Sequence, residues 1–223
     1  MSKLLSYRIE KDHIRENLNK YTRKAFEFIS KIKNPHIVDI GCGTGVPTIE
    51  LAKISDGHVT GVDIDESSLH LLKRKINETG LNSRVSIIKD SILTMDVPEE
   101  SFDIIWAEGS IYVMGFEQSI KKWRRFLKPN GFLVIHDENK DKIEKLQIIS
   151  KCGYRLIAQF EISAESWWLD YYTPLEQLIQ KLRYRYPNDL ELHTELEKDQ
   201  GEINKCKSNS MVVSSFFVIM QKM

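Results

Sequence analysis

Cysteine is scarce: Cys42, Cys152 and Cys206 are the only three in 223 residues, and no two form a CxxC pair. That spacing excludes a paired-cysteine zinc site and a disulfide framework, and it suits a reducing cytoplasm. No metal centre is expected. Net charge is also lacking, because 32 Lys and Arg balance 32 Asp and Glu. A neutral chain exerts no long-range attraction on nucleic acid or an anionic membrane. No apolar run is long enough to span a bilayer. The opening MSKLLSYRIEKDHIREN holds no apolar stretch of signal-peptide length. A cytoplasmic protein acting on neither nucleic acid nor membrane is the expectation. Internal repeats and low-complexity tracts are missing too, which excludes solenoid architectures.

What is present suits one folded domain, since 41% hydrophobic residues over this length can bury a full core. Ile14, Leu18, Tyr21, Ala25, Phe28, Ile29 and Ile32 recur at helical spacing, predicting a helix over about Lys11–Lys33 that Asn34-Pro35 ends. Short apolar runs then alternate with helix-period segments. Strands are expected at His36–Ile40, His58–Asp63, Val85–Lys89, Phe102–Ala107 and Gly131–Asp137. Helices are expected at Pro47–Ile54, Glu66–Glu78, Phe116–Leu127 and Lys140–Lys151. The strand sequences HIVDI and FDIIWA are continuously apolar, so both sheet faces must be covered, as in a parallel sheet. The right-handed crossover rule then gives an α/β, Rossmann-like doubly wound sheet. Two trailing strands, Tyr154–Ile162 and Met211–Gln221, bring the strands to seven, the last one antiparallel. Between them lie helical stretches near Pro174–Tyr184 and Leu190–Lys198. The expected organisation is one domain: a helical cap (1–34), a core (35–162), an inserted lid (163–210) and a last strand (211–223).

The segment Ile37-Val38-Asp39-Ile40-Gly41-Cys42-Gly43-Thr44-Gly45-Val46-Pro47 carries most of the functional information. A buried strand runs into alternate glycines and then a helix whose first turn accepts Pro47. The free N–H groups of such a helix start can hold a carboxylate or a phosphate. Asp63 ends the second strand, where a carboxylate can accept bonds from both ribose hydroxyls. Asp90 follows the third strand, within reach of an adenine amino group, and Ile64 is placed against the adenine face. Read instead as turn residues, these carboxylates would serve the fold alone. The dinucleotide pattern G-x-G-x-x-G would need a glycine where Val46 stands.

The observed G-x-G-x-G, with Asp39 two residues ahead, resembles motif I of the class I S-adenosylmethionine-dependent methyltransferases. The likeness runs from Ile37 to Asp137 and includes the turn Leu127-Lys128-Pro129-Asn130-Gly131. It implies that Asp39 orients the loop and helps bind the methionine end of S-adenosyl-L-methionine. It also implies that Gly41, Cys42, Gly43 and Gly45 line the cofactor, that Asp63 and Ile64 bind its nucleoside, and that Asp90, Ser91 and Ile92 meet the adenine. The run Phe102–Tyr112 with Trp123, and later Ala164-Glu165-Ser166-Trp167-Trp168, Tyr171-Tyr172 and Pro174, resembles a group of predicted bacterial methyltransferases of undefined substrate. The implied function is methyl transfer to a small-molecule acceptor by in-line displacement, in a monomer or homodimer. A nicotinamide-dependent oxidoreductase or epimerase is the second reading, but no Tyr-x-x-x-Lys pair supplies its chemistry. A non-catalytic S-adenosylmethionine-binding protein is the third.

Glu108, after the fourth strand, is a candidate for the cofactor ammonium, for the acceptor or a proton, or for ordering its loop. Tyr112 lines an acceptor pocket or belongs to the core. His136, ending the fifth strand, is the best-placed histidine for proton abstraction, or is simply hydrogen-bonded. Trp167, Trp168 and Tyr171 form an acceptor lid selecting a flat or apolar molecule, or else a local core under the inserted helices. Lys121-Lys122-Trp123-Arg124-Arg125-Phe126 reads as a solvated helix face over a buried Trp123 and Phe126. No Asn/Asp-Pro-Pro-aromatic element follows the fourth strand, which disfavours nucleic-acid base methylation.

Overall fold

A computed structural model describes residues 2–208 and 213–223. Seven strands form one sheet in the order β3-β2-β1-β4-β5-β7-β6. They are β1 (His36–Ile40), β2 (His58–Asp63), β3 (Val85–Lys89), β4 (Phe102–Glu108), β5 (Leu127–Glu138), β6 (Tyr154–Ile162) and β7 (Ser215–Lys222). Strands β3, β2, β1, β4 and β5 pair in parallel, and β7 runs antiparallel to its neighbours. This is the Rossmann-like, doubly wound arrangement expected. The central strands bury runs of apolar side chains on both faces of the sheet. Ile37, Val38, Ile40, Ile104, Ile105, Trp106, Leu133, Val134 and Ile135 are all buried.

The chain divides into two compact units. Residues 19–161 with 216–223 form the larger one. It contains α2 (Asn19–Glu27), α3 (Val46–Ile54), α4 (Glu66–Thr79), α5 (Phe116–Trp123) and α6 (Lys142–Ile148). Helix α4 shows how local chemistry sets its limits. Asp65 caps its N-terminus by accepting from the backbone N–H of Ser67 and Ser68, and Gly80, at φ 69°, ends it in the left-handed conformation.

The smaller unit takes the described part of 1–18 together with 162–215. It holds α1 (Lys3–Arg15), α7 (Ala164–Trp167), a π-helical turn (Trp168–Tyr172), α8 (Thr173–Arg185) and α9 (Leu190–Ser208). Its interior joins Trp167, Tyr171 and Tyr172, ring centroids 5.2–5.9 Å apart, to apolar side chains of α8 and α9. A polar pair is buried in the same unit: the Tyr7 hydroxyl donates to the Asp199 carboxylate, whose other oxygen receives Lys11 Nζ at 2.6 Å. Burial and the Asp199 charge both push the Tyr7 hydroxyl far above its ordinary range, so it stays a donor.

Several boundaries differ from expectation, each for a local reason. The helix expected over Lys11–Lys33 is two helices joined by a 3-10 turn at Glu16–Leu18, and they fall in different units. The helix expected to reach Leu127 stops at Trp123, because Leu127 already pairs with Phe102 and starts β5. Pro129 disfavours helical backbone at Lys128, which brings the strand forward. Helix α9 continues past Lys198 through Gly201, since Leu192, Leu196, Asp199, Ile203 and Cys206 keep one buried face. Met211 and Val212, the expected start of the last strand, lie outside the described residues; β7 begins at Ser215. No helix among the described residues is long and apolar enough to cross a membrane.

Candidate active site

The carboxyl ends of β1, β2 and β4 gather the expected residues on one edge of the sheet. At the end of β1 the chain folds back on β2, with the backbone N–H groups of Gly41 and Cys42 both donating to Val62 O at 2.8 and 3.0 Å. Gly41 (φ 74°) must be glycine because a Cβ there would lie 2.3 Å from Ser110 Cβ. Ser110 in turn donates its hydroxyl to Ile40 O at 2.6 Å, tying the segment after β4 to the loop. Gly45 (φ 79°) is pressed by Leu72 of α4, 2.2 Å from where its Cβ would sit. Gly43 differs: its φ is 52°, and nothing lies within 4 Å of its Cβ position. The side that a Cβ would occupy is open.

Asp63 holds that bare backbone in place. One carboxylate oxygen accepts Gly43 N–H at 2.8 Å and the other accepts Asp65 N–H at 2.9 Å. Asp39 is buried under the loop and receives the Thr48 hydroxyl of α3 at 2.6 Å. Lys75 of α4 donates to Thr44 O at 2.9 Å. Burial first, and then the Asp39 and Asp63 charges, push the Cys42 thiol far above its ordinary range. It is therefore a protonated packing group and not a nucleophile.

Beyond β2, Ile64 is 66% exposed. Asp90 bonds through its backbone N–H to Asp63 O at 3.1 Å, and its carboxylate accepts Ser91 N–H at 2.7 Å. Ile92 turns into the core, while its neighbour Leu93 stands exposed beside it. At the end of β4, Glu108 Oε1 accepts both Thr22 Oγ1 of α2 and Trp106 Nε1 at 2.8 Å. Its register partner on β5 is His136, a buried residue whose ring stacks on Phe217 at 4.5 Å and 8°. Tyr112 is 78% exposed on the turn after β4, so it is not a core residue.

Residues 37–131 match the family described as "Methyltransferase domain". The match spans less than half of the chain. The family uses S-adenosylmethionine. An uncharacterised protein of Haemophilus influenzae is 32% identical over 104 residues, covering 45% of this chain and 41% of that one. The sterol 24-C-methyltransferase ERG6B of Gibberella zeae is 29% identical over 102 residues, 45% of this chain and 27% of that enzyme. Less than half the length of either relative is matched. Among solved structures, a SAM-dependent methyltransferase from Geobacter sulfurreducens in complex with S-adenosyl-L-homocysteine superposes with a TM-score of 0.71. It is 15% identical, with 93% of this chain and 91% of that one covered, and at that identity the likeness is one of fold.

The strand-end edge of the sheet has a lining whose chemistry is compatible with a nucleoside cofactor. An open backbone at Gly43, two carboxylates at successive strand ends and exposed Ile64 and Leu93 suit the polar and flat parts of a nucleoside. The basic run after Phe116 has other employment. Lys121 bonds Glu117 and Arg125 bonds Asp96, at 2.6 and 2.7 Å; Lys122 donates to Leu93 O, and Arg124 to Met223 O at 2.6 Å. In the smaller unit Trp167 is 9% exposed and donates its indole N–H to Ser215 Oγ at 2.9 Å, and Tyr171 is buried beside it. Trp168 is half-buried and keeps some surface.

Sequence reasoning missed Thr22, Trp106, Thr48, Ser110 and Lys75; Thr22, Ser110 and Lys75 act through contacts 31 to 86 residues apart in the chain. Only Trp106 carried a local signal: a residue two before Glu108 on a strand shares its face.

Proposed function

We propose that this protein transfers a methyl group from S-adenosylmethionine to a small apolar acceptor in the cytoplasm. The observation that carries the reading is the bare Gly43 backbone fixed by the Asp63 carboxylate, next to an exposed Ile64. In this reading Asp63 takes the ribose hydroxyls, Asp90 with Ser91 takes the adenine edge, and Ile64 lies on its face. Asp39 and the Gly41–Gly45 backbone hold the methionine end, with Glu108 beside them. The cofactor brings an electrophilic methyl group. The protein supplies alignment and exclusion of water, a contribution of about 7–11 kcal/mol in well-oriented reactions.

The acceptor class rests on two supports. Tyr112 and Val113 leave apolar surface exposed just after β4, and the named relative from Gibberella zeae is a sterol methyltransferase. His136 is packed flat against Phe217, so orienting the edge of the site suits it better than shuttling a proton. Three free, buried cysteines accord with a reducing compartment. Thermal shift with S-adenosylhomocysteine beside NAD tests the cofactor: saturating ligand at a hundredfold excess over Kd adds about 2.7 kcal/mol of stability. A shift with NAD alone would favour an oxidoreductase and overturn the proposal. Labelled-methyl transfer to a panel of apolar acceptors tests the chemistry. Cofactor binding with no transfer to any of them would leave a non-catalytic binding protein.

A further inference from the structure

Thr22 is a helical residue that does something helical threonines seldom do. A threonine inside a helix ordinarily returns its hydroxyl to a carbonyl one turn back. Thr22 is 1% exposed, and its hydroxyl instead crosses to Glu108 Oε1 at 2.8 Å, 86 residues away in the chain. Trp106 Nε1 donates to the same oxygen at the same distance. An indole N–H can only donate, so Oε1 is fixed as an acceptor. Trp106 itself is fully buried between Phe26 and Phe217, with centroids 6.5 and 6.3 Å away. Two buried donors on one oxygen hold the carboxylate in its observed orientation.

The same face of α2 holds a second carboxylate. Asn19 Nδ2 and Arg23 Nη1 donate to the two oxygens of Glu50 at 3.3 and 2.6 Å, and Glu50 is buried on α3, the helix that starts at Gly45. Positions 19, 22 and 23 lie on one helical stripe. Helix α2 is thus fastened at once to the end of β4 and to the helix leaving the glycine loop. Strand register brings these two places together, since Trp106 pairs with Asp39, two residues before Gly41.

We infer that Thr22 is a positioning residue of the cofactor site: with Trp106 it orients the Glu108 carboxylate to receive the α-ammonium of S-adenosylmethionine. The inference rests on the cofactor reading above. Asp63 and Asp90 serve the nucleoside, and an ammonium beside the glycine loop requires a carboxylate of fixed direction, which makes a short charge-assisted bond. Helix α2 then belongs to the cofactor site and is not merely a cover on the fold.

The test compares S-adenosylhomocysteine with 5′-methylthioadenosine, which keeps the nucleoside and lacks the amino-acid end. Dissociation constants are measured by calorimetry for wild type, Thr22→Val, Thr22→Ser, Glu108→Gln and the Thr22→Val/Glu108→Gln double variant. Thr22→Val should weaken S-adenosylhomocysteine about tenfold, the value of a lost hydrogen bond to a charged group. Thr22→Ser should restore wild-type affinity, and 5′-methylthioadenosine should bind all variants alike. The double variant should be no weaker than Glu108→Gln, because the two changes remove one interaction. Equal losses for both ligands, or additive losses in the double variant, would overturn the inference and leave Thr22 a purely structural residue. Failure of the wild type to bind either ligand would overturn the cofactor reading itself. Should Thr22→Val not fold, Thr22→Ala, which adds no bulk, replaces it in the same comparison.

Discussion

Replacing Asp63 separates its observed role in holding the loop from its proposed role in holding ribose. Without ligand, Asp63 already accepts Gly43 N–H at 2.8 Å and Asp65 N–H at 2.9 Å, one on each oxygen. A carboxylate oxygen has about two lone-pair positions, so each keeps one for a ribose hydroxyl. A hydrogen bond to a charged acceptor contributes about 1.5–3 kcal/mol, so two lost hydroxyl bonds total roughly 3–6 kcal/mol. Asp63→Ala should therefore weaken S-adenosylhomocysteine by about two to four orders of magnitude. The same change orphans the Gly43 N–H and should lower folding stability by about 1 kcal/mol with no ligand present. Asp63→Asn keeps one acceptor oxygen but turns an NH2 group toward a backbone N–H, so it should fall between the two. Calorimetry with S-adenosylhomocysteine and with 5′-methylthioadenosine reads the binding, and urea unfolding reads the stability. Both ligands should suffer equally, because both carry the ribose. Affinity within about threefold of wild type in Asp63→Ala, less than 1 kcal/mol, would refute the ribose assignment.

The glycine loop gives a second contrast. Gly45→Ala drives a Cβ into Leu72 and should destabilise the fold, whereas Gly43→Ala meets open space and should cost only the roughly 1–2 kcal/mol of left-handed backbone. Cofactor affinity should nevertheless fall in Gly43→Ala, and unchanged binding there would place the ligand elsewhere. For Asp65, the Ser68 hydroxyl foremost, helped by Ser67 and their backbone N–H groups, holds the carboxyl below its usual 3.8. A depressed value means that its stabilisation is present above pH 3.8 and lost as pH falls through the lower, folded-state value. Asp65→Ala should therefore cost about 1 kcal/mol near neutrality and almost nothing in strong acid; a pH-independent penalty in urea titrations would contradict the capping account. In the smaller unit, Trp167→Ala should cost about 3–5 kcal/mol, while the half-buried Trp168 should cost much less on truncation; equal losses in denaturant titrations would contradict the packing described.

The fold was legible because its signals are local. Continuous apolar strands, alternating with helical periods, gave β1, β2, β3 and β6 to the residue. The parallel core followed from rules of handedness. Boundaries failed where a tertiary contact overrode a local pattern. Leu127 satisfies a helical period from Phe116, yet its backbone is claimed by Phe102 of β4. Gly201 is a stop signal in sequence, yet the buried face from Leu192 to Cys206 holds α9 together across it. Propensity differences of about 1 kcal/mol per glycine are small beside a buried helix face.

The candidate site was legible in part, and the division follows from the same physics. Asp39, Gly41, Gly43, Gly45, Asp63 and Asp90 announce themselves because turns at strand ends demand particular residues at particular spacings. Thr22 could not: nothing in Tyr21-Thr22-Arg23 marks a hydroxyl that will cross the fold to Glu108. Ile92 shows how one step along the chain exchanges core for surface, since it packs inward while Leu93 stands exposed. The aromatic run Trp167–Tyr172 conveys bulk but not direction, and its rings turn into the smaller unit because the π-helical turn places Tyr171 and Tyr172 beside Trp167. Residues that shape backbone are written in the sequence near the place they act. A residue that orients a side chain from another element, as Thr22 orients Glu108, becomes visible only when the elements have been brought together, and such a position is where substitution should change binding without changing the fold.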